Sequence, residues 1–258
     1  MNYSNQEMVV RVYFSVFIIV IGYLFLKPLL PVFEMFKSFD NWNVFITQIK
    51  YYPELFTNIF ISLKISMLGT LFSCIFCTLV AYGLVIYKFK FRSIIILLVF
   101  FILLIPSSVK IIPFIISLNK IGLTESDWGL WVPNVVPALG VLIVYYYLTS
   151  IVNFEIIDAA RVEGANEWLI FYKIILPVLK PAIAFIAMIQ FSIIWNAYEL
   201  SVVTIGVEEL RPAAHQFRTV ALRVPPVAMI VFTIIPLFFL MLCSYYIGQF
   251  IKSGIKHS

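Results

Sequence analysis

Residues 56–86 read FTNIFISLKISMLGTLFSCIFCTLVAYGLVI, and Lys64 is the only charged residue among them. A helix needs about 20 mostly apolar residues to cross a hydrocarbon core roughly 30 Å thick. Backbone N–H and C=O groups in lipid must be bonded within their own segment, so an apolar run of this length is expected to be helical. The stretch therefore predicts a membrane-spanning helix.

Five further apolar runs accompany this stretch, and they cover residues 10–33, 94–118, 131–149, 181–205 and 226–250. The chain of 258 residues is 62% hydrophobic and 12% charged, and its mean hydropathy is +1.02. Soluble domains are about 45–50% apolar and about 25% charged. The ten-residue alternation of a membrane barrel is absent. We therefore predict an all-α polytopic membrane protein with six transmembrane helices, in a single transmembrane domain over residues 1–258, whose first span is retained.

The turn between the second and third runs, residues 87–93, carries Lys88, Lys90 and Arg92 and no acid. Cytoplasmic loops next to membrane spans have an excess of Lys and Arg, so this turn is predicted to lie inside the cell. Six spans then place both termini and the loop over residues 150–180 on the cytoplasmic side. The net charge of +5 is explained by such loops and indicates no nucleic-acid partner.

The loop over residues 150–180 carries the start and stop signals of two short helices. Asn153 is predicted to cap the first helix, Gly164 to end it, and Asn166 to cap a second helix that stops before Pro177. The loop also has small residues that would let a partner approach closely and aromatic residues that would anchor it: Ala159, Ala160, Trp168, Phe171 and Tyr172. A short helix with such a surface can dock in a groove of a partner.

Asp158-Ala159-Ala160, Gly164 and Ile175-Leu176-Pro177 resemble the EAA loop of ABC importer permeases, a motif of the form E-A-A-x3-G-x9-I-x-L-P, with Asp158 where Glu is usual. The resemblance implies the fold of a type I ABC importer permease. It also implies that this loop is a coupling helix, which sits in a cleft of the ATP-binding subunit and transmits the closure of that subunit to the spans. The candidate coupling residues are Asp158, Ala159, Ala160, Gly164, Ala165, Trp168, Leu176 and Pro177.

Several short segments resemble the carbohydrate branch of these permeases, in particular the smaller six-span subunit of maltose-type and multiple-sugar systems. They are Ala81-Tyr82, Ile105-Pro106, Ile112-Pro113, Gly122-Leu123, residues 161–165 and, as the main marker, Trp195-Asn196. The resemblance implies an oligosaccharide substrate, a second permease chain in a heterodimer, two ATP-binding subunits and an extracytoplasmic solute-binding protein. It places the chain in a bacterial-type inner or cytoplasmic membrane, with ATP and Mg bound by the partner subunits and no cofactor bound by this chain.

The chain is predicted to be a transport subunit and not an enzyme, and ATP hydrolysis is assigned to the partner subunits because this chain contains no G-x-x-x-x-G-K-[ST] phosphate loop. A permease for a peptide or a polyamine is one alternative. A second is an integral-membrane enzyme, which would need clustered catalytic groups that the sequence does not show. The isolated His215 and His257 suggest no metal site, and the lone CxxC pair of Cys74 and Cys77 is interpreted as packing.

Lys64, Lys110 and Glu199 fall inside apolar runs, where a charge costs about 2.5–3.5 kcal/mol on insertion scales. Two interpretations remain open. The lysines could extend to the outer interface. Alternatively, all three could face a central pathway, in which Ser192, Asn196 and Glu199 share one helix face and provide hydrogen-bonding groups for a sugar. In the second case the lysines would favour an acidic oligosaccharide that contains uronic acid.

Overall fold

The computed structural model describes residues 53–124, 126–197, 201–202, 212 and 226–255. The predicted first span over residues 10–33, Glu199, His215 and His257 lie outside the described residues. The described residues 54–124, 126–197, 201–202, 212 and 232–255 belong to one compact unit. Every side-chain contact described below lies within this unit.

The described part of the chain contains no β-strand, and it has a short 3₁₀ helix at Val132–Asn134 and eight longer helices. The longer helices are α1 (Pro53–Ile86), α2 (Arg92–Leu104), α3 (Ser107–Lys120), α4 (Asp127–Trp131), α5 (Ala138–Ile151), α6 (Phe154–Val162), α7 (Glu167–Trp195) and α8 (Pro226–Ile255). The predicted all-α class is therefore confirmed. Thr57–Ile86 and Glu167–Trp195 are each long and apolar enough to cross a membrane, and the described part has up to four spans if the bent pairs α2/α3 and α5/α6 count as one each.

The apolar run over residues 94–118, which we predicted as one span, contains two helices whose axes differ by 107°. The break falls at Ile105-Pro106, where Ile105 has an extended backbone with ψ of 120°. Proline disfavours the helical conformation of the residue before it, so α2 ends at Leu104. No side chain of α2 is buried.

Helices α1, α5 and α7 pack around one apolar core, which also includes Ile157 of α6. Its buried members include Cys77, Ala81, Val85, Val144, Leu148, Leu179 and Ile186. A Cβ atom on Gly140 would lie 2.8 Å from Cys77 Sγ, so α5 approaches α1 this closely only because residue 140 has no side chain. The Cys77 thiol thus fills a close helix contact, in agreement with the packing interpretation.

The second helix of the 150–180 loop does not stop before Pro177, and that prediction was wrong. Glu167–Trp195 is continuous, and residues Phe171–Ile175 within it form a turn with the wider π-helical pattern. In an ordinary helix the proline ring would clash with the carbonyl four residues earlier, here Lys173, and leave it without a donor. The wider turn lies at that position, which lets the helix continue through Pro177.

Candidate coupling loop and membrane pathway

Helix α6 begins at the predicted cap. Asn153 has an extended backbone, and its Oδ1 accepts a hydrogen bond from Glu155 N at 2.9 Å. The Asn153 amide therefore satisfies one of the N–H groups that a helix leaves unpaired at its start. Glu155 in the first turn and Arg161 in the last turn both match the polarity of the helix dipole.

Helix α6 ends in a sharp corner at Gly164, as predicted. Gly164 has a φ of +87°, a conformation that residues with a Cβ rarely adopt. Its N–H donates to Arg161 O at 3.0 Å, and the next N–H, of Ala165, donates to Ala160 O at 2.9 Å. These two bonds are the Schellman pattern, which closes the last turn and redirects the chain.

The next helix starts only two residues beyond this corner. Asn166 Oδ1 accepts a hydrogen bond from Leu169 N at 2.8 Å, which confirms the second predicted cap. Ile157 of α6 and Ile170 of α7 are 1% and 0% exposed and belong to the same core. The loop is therefore a helix, a corner and a second helix, with one buried isoleucine anchoring each helix.

The three most exposed large apolar side chains of this loop are Val162, Trp168 and Tyr172, which are 89%, 72% and 65% exposed. We call them the apolar tip. Of the predicted coupling residues, Asp158, Ala159, Gly164 and Trp168 are exposed, and Ala160, Ala165, Leu176 and Pro177 are half-buried. Exposed apolar groups on one short loop are typical of a contact surface for another protein or for lipid.

Glu167 connects the loop to α1. Its Oε1 accepts a hydrogen bond from Arg161 Nε at 2.9 Å, and its Oε2 accepts from the hydroxyls of Tyr82 at 2.8 Å and Tyr87 at 3.0 Å. Arg161 also pairs with Asp158 at 3.2 Å. The hydrogen bond to Glu167 raises the pKa of Arg161. Burial and then the hydrogen bond to Glu167 raise the pKa of Tyr87, so its phenol remains a donor.

The structure brings two of the predicted pathway residues together. Asn196 Nδ2 donates to Ser192 O at 2.8 Å, with Asn196 exposed and Ser192 half-buried at the end of α7. Lys64 on α1 and Lys110 on α3 are both exposed and lie on other helices. Glu199, the third member of the predicted face, lies outside the described residues.

Gln190 is a buried polar residue of α7 that bonds the backbone of another segment. It is 2% exposed, and its Nε2 donates to Asn134 O at 3.1 Å and lies 3.4 Å from Ser73 Oγ. Ser73 Oγ also donates to Asn134 O at 2.6 Å. Pro137, three residues after Asn134, has no N–H, so side chains of α1 and α7 supply the donors that this irregular segment lacks.

Trp195 has a similar structural role. It is 1% exposed, and its indole N–H donates to Phe232 O of α8 at 3.1 Å. Pro236 lies four residues after Phe232 in the same helix and cannot donate to that carbonyl. Trp195 therefore supplies a hydrogen bond to a carbonyl to which Pro236 cannot donate. The segment Trp195-Asn196, taken from the sequence as a sugar-branch marker, consists of one buried packing residue and one exposed amide.

Comparison with known proteins places the chain among transporter subunits. Residues 75–249 match the family described as binding-protein-dependent transport system inner membrane component. The arabinooligosaccharides transport system permease protein AraQ of Bacillus subtilis (strain 168) is 25% identical, over 99% of this chain and 99% of its own length. The lactose transport system permease protein LacG of Rhizobium radiobacter is 30% identical, over 62% of this chain and 57% of its own length.

A solved structure shows the same fold. It belongs to a bacterial ABC transporter involved in the import of the acidic polysaccharide alginate, with a TM-score of 0.68 and 19% identity over 100% of this chain and 98% of that chain. The predicted ABC permease fold is thereby confirmed, and the family match confirms a transport subunit in place of an enzyme. Because the match covers more than half of the sequence, the chain belongs to the family of binding-protein-dependent transport system inner membrane components.

Proposed function

We propose that this chain is a permease subunit of an ATP-driven importer of carbohydrates, and that the loop over residues 153–177 couples it to an ATP-binding subunit. The observation that carries this proposal is that the apolar tip lies around the Gly164 corner, and that helix α7, which follows the corner, is long and apolar enough to cross a membrane. A movement imposed on the tip would be transmitted along α7 into the membrane, because no flexible linker separates them.

The partners follow from the same reasoning. Val162, Trp168 and Tyr172 leave large apolar surface exposed, so an ATP-binding subunit with a matching groove would cover them. We propose two such subunits, which hold ATP and Mg, together with a second permease chain and an extracytoplasmic solute-binding protein. This chain would bind no cofactor itself. The basic turn around Lys88 and Lys90 supports cytoplasmic termini in a bacterial-type inner membrane.

The first test removes the main anchor of the apolar tip. Replacement of Trp168 by alanine in the assembled transporter is expected to lower the amount of ATP-binding subunit that co-purifies with this chain by about 10-fold or more, because exposed tryptophans are frequent hot spots of interfaces. Trp128→Ala is the matched control, since Trp128 is 55% exposed and lies on α4, outside the loop. Equal recovery of the subunit with both variants would contradict the coupling role of the loop.

The nature of the cargo is a narrower proposal. The printed names of the relatives AraQ and LacG refer to arabinooligosaccharides and lactose, which supports a carbohydrate over a peptide or a polyamine. The hydrogen-bonding end of α7, with half-buried Ser192 and exposed Asn196, suits a polyhydroxylated solute. Exposed Lys64 and Lys110, with the alginate importer as a structural neighbour, support an acidic oligosaccharide within that class.

The acidic cargo can be tested by uptake in reconstituted vesicles. Combined Lys64→Ala and Lys110→Ala substitutions are expected to lower uptake of a uronate-containing oligosaccharide several-fold and to leave uptake of a neutral oligosaccharide unchanged, because only the former requires a positive charge. Lys120→Ala, at the exposed end of α3, provides the control. Unchanged acidic-sugar uptake in the double variant would exclude this interpretation of the lysines.

A further inference from the structure

We infer that Glu167 is the positioning residue that fastens the coupling loop to α1, so that a movement of the loop reaches α1 as well as α7. The inference rests on the proposed function and adds a second route of transmission to it. Both oxygens of the Glu167 carboxylate take part. Oε1 accepts from Arg161 of α6, and Oε2 accepts from Tyr82 and Tyr87 at the end of α1.

We call the contacts of Glu167 with Arg161, Tyr82 and Tyr87 the joint. Its geometry differs from that of the other ion pair described in the loop. Asp158 and Arg161 lie three residues apart on α6, so their contact at 3.2 Å stabilises that helix alone. Glu167, in contrast, bonds residues 80 and 85 positions away in the sequence. Its position at the start of α7, where the helix dipole favours a negative charge, supports the ionised form that accepts three hydrogen bonds.

Aromatic packing reinforces the same joint. The ring of Tyr82 meets that of Phe171 edge to face at 5.1 Å, and Phe171 meets Trp168 of the apolar tip at 6.4 Å. Phe171 is also the first residue of the π turn in α7. A displacement of Trp168 by a partner would therefore press on Phe171 and Tyr82, whose hydroxyl is held by Glu167.

The test compares variants that remove the joint and spare the apolar tip. Glu167→Ala and the double substitution Tyr82→Phe with Tyr87→Phe are made in the full transporter in lipid vesicles. The amount of solute imported per ATP hydrolysed is expected to fall by about 5-fold or more, while the ATP-binding subunit still co-purifies. Glu167→Gln, which keeps an acceptor oxygen, should give a smaller loss. Tyr146→Phe, an exposed tyrosine on α5, should have no effect.

A second readout tests the joint without reference to transport. Amide hydrogen exchange of residues 154–165 is expected to become faster in Glu167→Ala and in the double tyrosine variant, and to stay unchanged in Tyr146→Phe. An unchanged ratio of import to hydrolysis in the joint variants would overturn the inference. Loss of the ATP-binding subunit in these variants would also overturn it, because Glu167 would then be needed for the docking surface itself. If no ATP-binding subunit co-purified with the wild-type chain, the proposed function itself would be contradicted.

Discussion

Gly164→Val is expected to reduce association with the ATP-binding subunit by about 10-fold to 100-fold, because it forces a β-branched residue into a φ of +87°. The strain costs about 1–3 kcal/mol, and each 1.4 kcal/mol is about a factor of ten in an equilibrium. The loop can escape this strain only by giving up the bonds from Gly164 to Arg161 and from Ala165 to Ala160. Co-purification of the subunit with the full chain measures the effect.

Two substitutions separate the conformational effect from the loss of a glycine as such. Gly164→Asn should be tolerated far better than Gly164→Val, because asparagine adopts the left-handed region readily. Gly83→Ala on α1 should be neutral, since no atom lies within 4 Å of the added Cβ and the residue is helical. Nothing lies within 4 Å of a Cβ on Gly164 either, so equal behaviour of the valine and asparagine variants would disprove the corner as the cause.

Trp195→Phe should destabilise the chain by about 1 kcal/mol or more, because it removes the hydrogen bond that the indole N–H donates to the half-buried Phe232 carbonyl, to which Pro236 cannot donate. Phenylalanine retains the ring that stacks on Phe191 and packs on Phe232. The loss is therefore assigned to the indole N–H that reaches Phe232 O. Unfolding by denaturant in detergent, followed for the full chain, measures the change in the free energy of unfolding.

A double-mutant cycle with Pro236 isolates this bond. Alanine at position 236 restores a backbone N–H four residues after Phe232, so the carbonyl regains an ordinary helical partner. In the Pro236→Ala background, Trp195→Phe should cost less than about 1 kcal/mol, because the indole donor is then redundant. Trp128→Phe, at an exposed tryptophan, serves as the control in both backgrounds. The same cost of Trp195→Phe in both backgrounds would contradict the assignment.

Local signals were sufficient to predict the two helix caps and the corner of the loop over residues 150–180. Asn153, Gly164 and Asn166 act within a few residues of their own position, through caps and a left-handed turn, so their structure could be predicted without any knowledge of the tertiary fold. Proline gave a mixed outcome. Pro106 breaks the third apolar run, whereas Pro177 is accommodated by the π turn before it. The presence of a proline does not by itself predict which of these two outcomes occurs.

The contacts that depend on distant residues could not be predicted in this way. Glu167 stands in the first turn of a capped helix, where an acid is ordinary, and no local pattern indicates that Tyr82 and Tyr87 meet it. Gln190 is a polar residue and Trp195 an aromatic residue of an apolar run in the sequence. Their partners, however, are backbone carbonyls on other segments, and these are identified only once the helices are placed.

The break after α2 leaves irregular backbone at membrane depth. The 13 residues of α2 rise about 20 Å from Arg92, so Ile105 and Pro106 would lie within a hydrocarbon core about 30 Å thick. Irregular backbone at that depth is tolerated only when protein or a water-filled cavity covers it, yet both residues are exposed on this chain. An isolated copy would therefore present these backbone groups to lipid, and this face of α2 is expected to be covered in an assembled transporter.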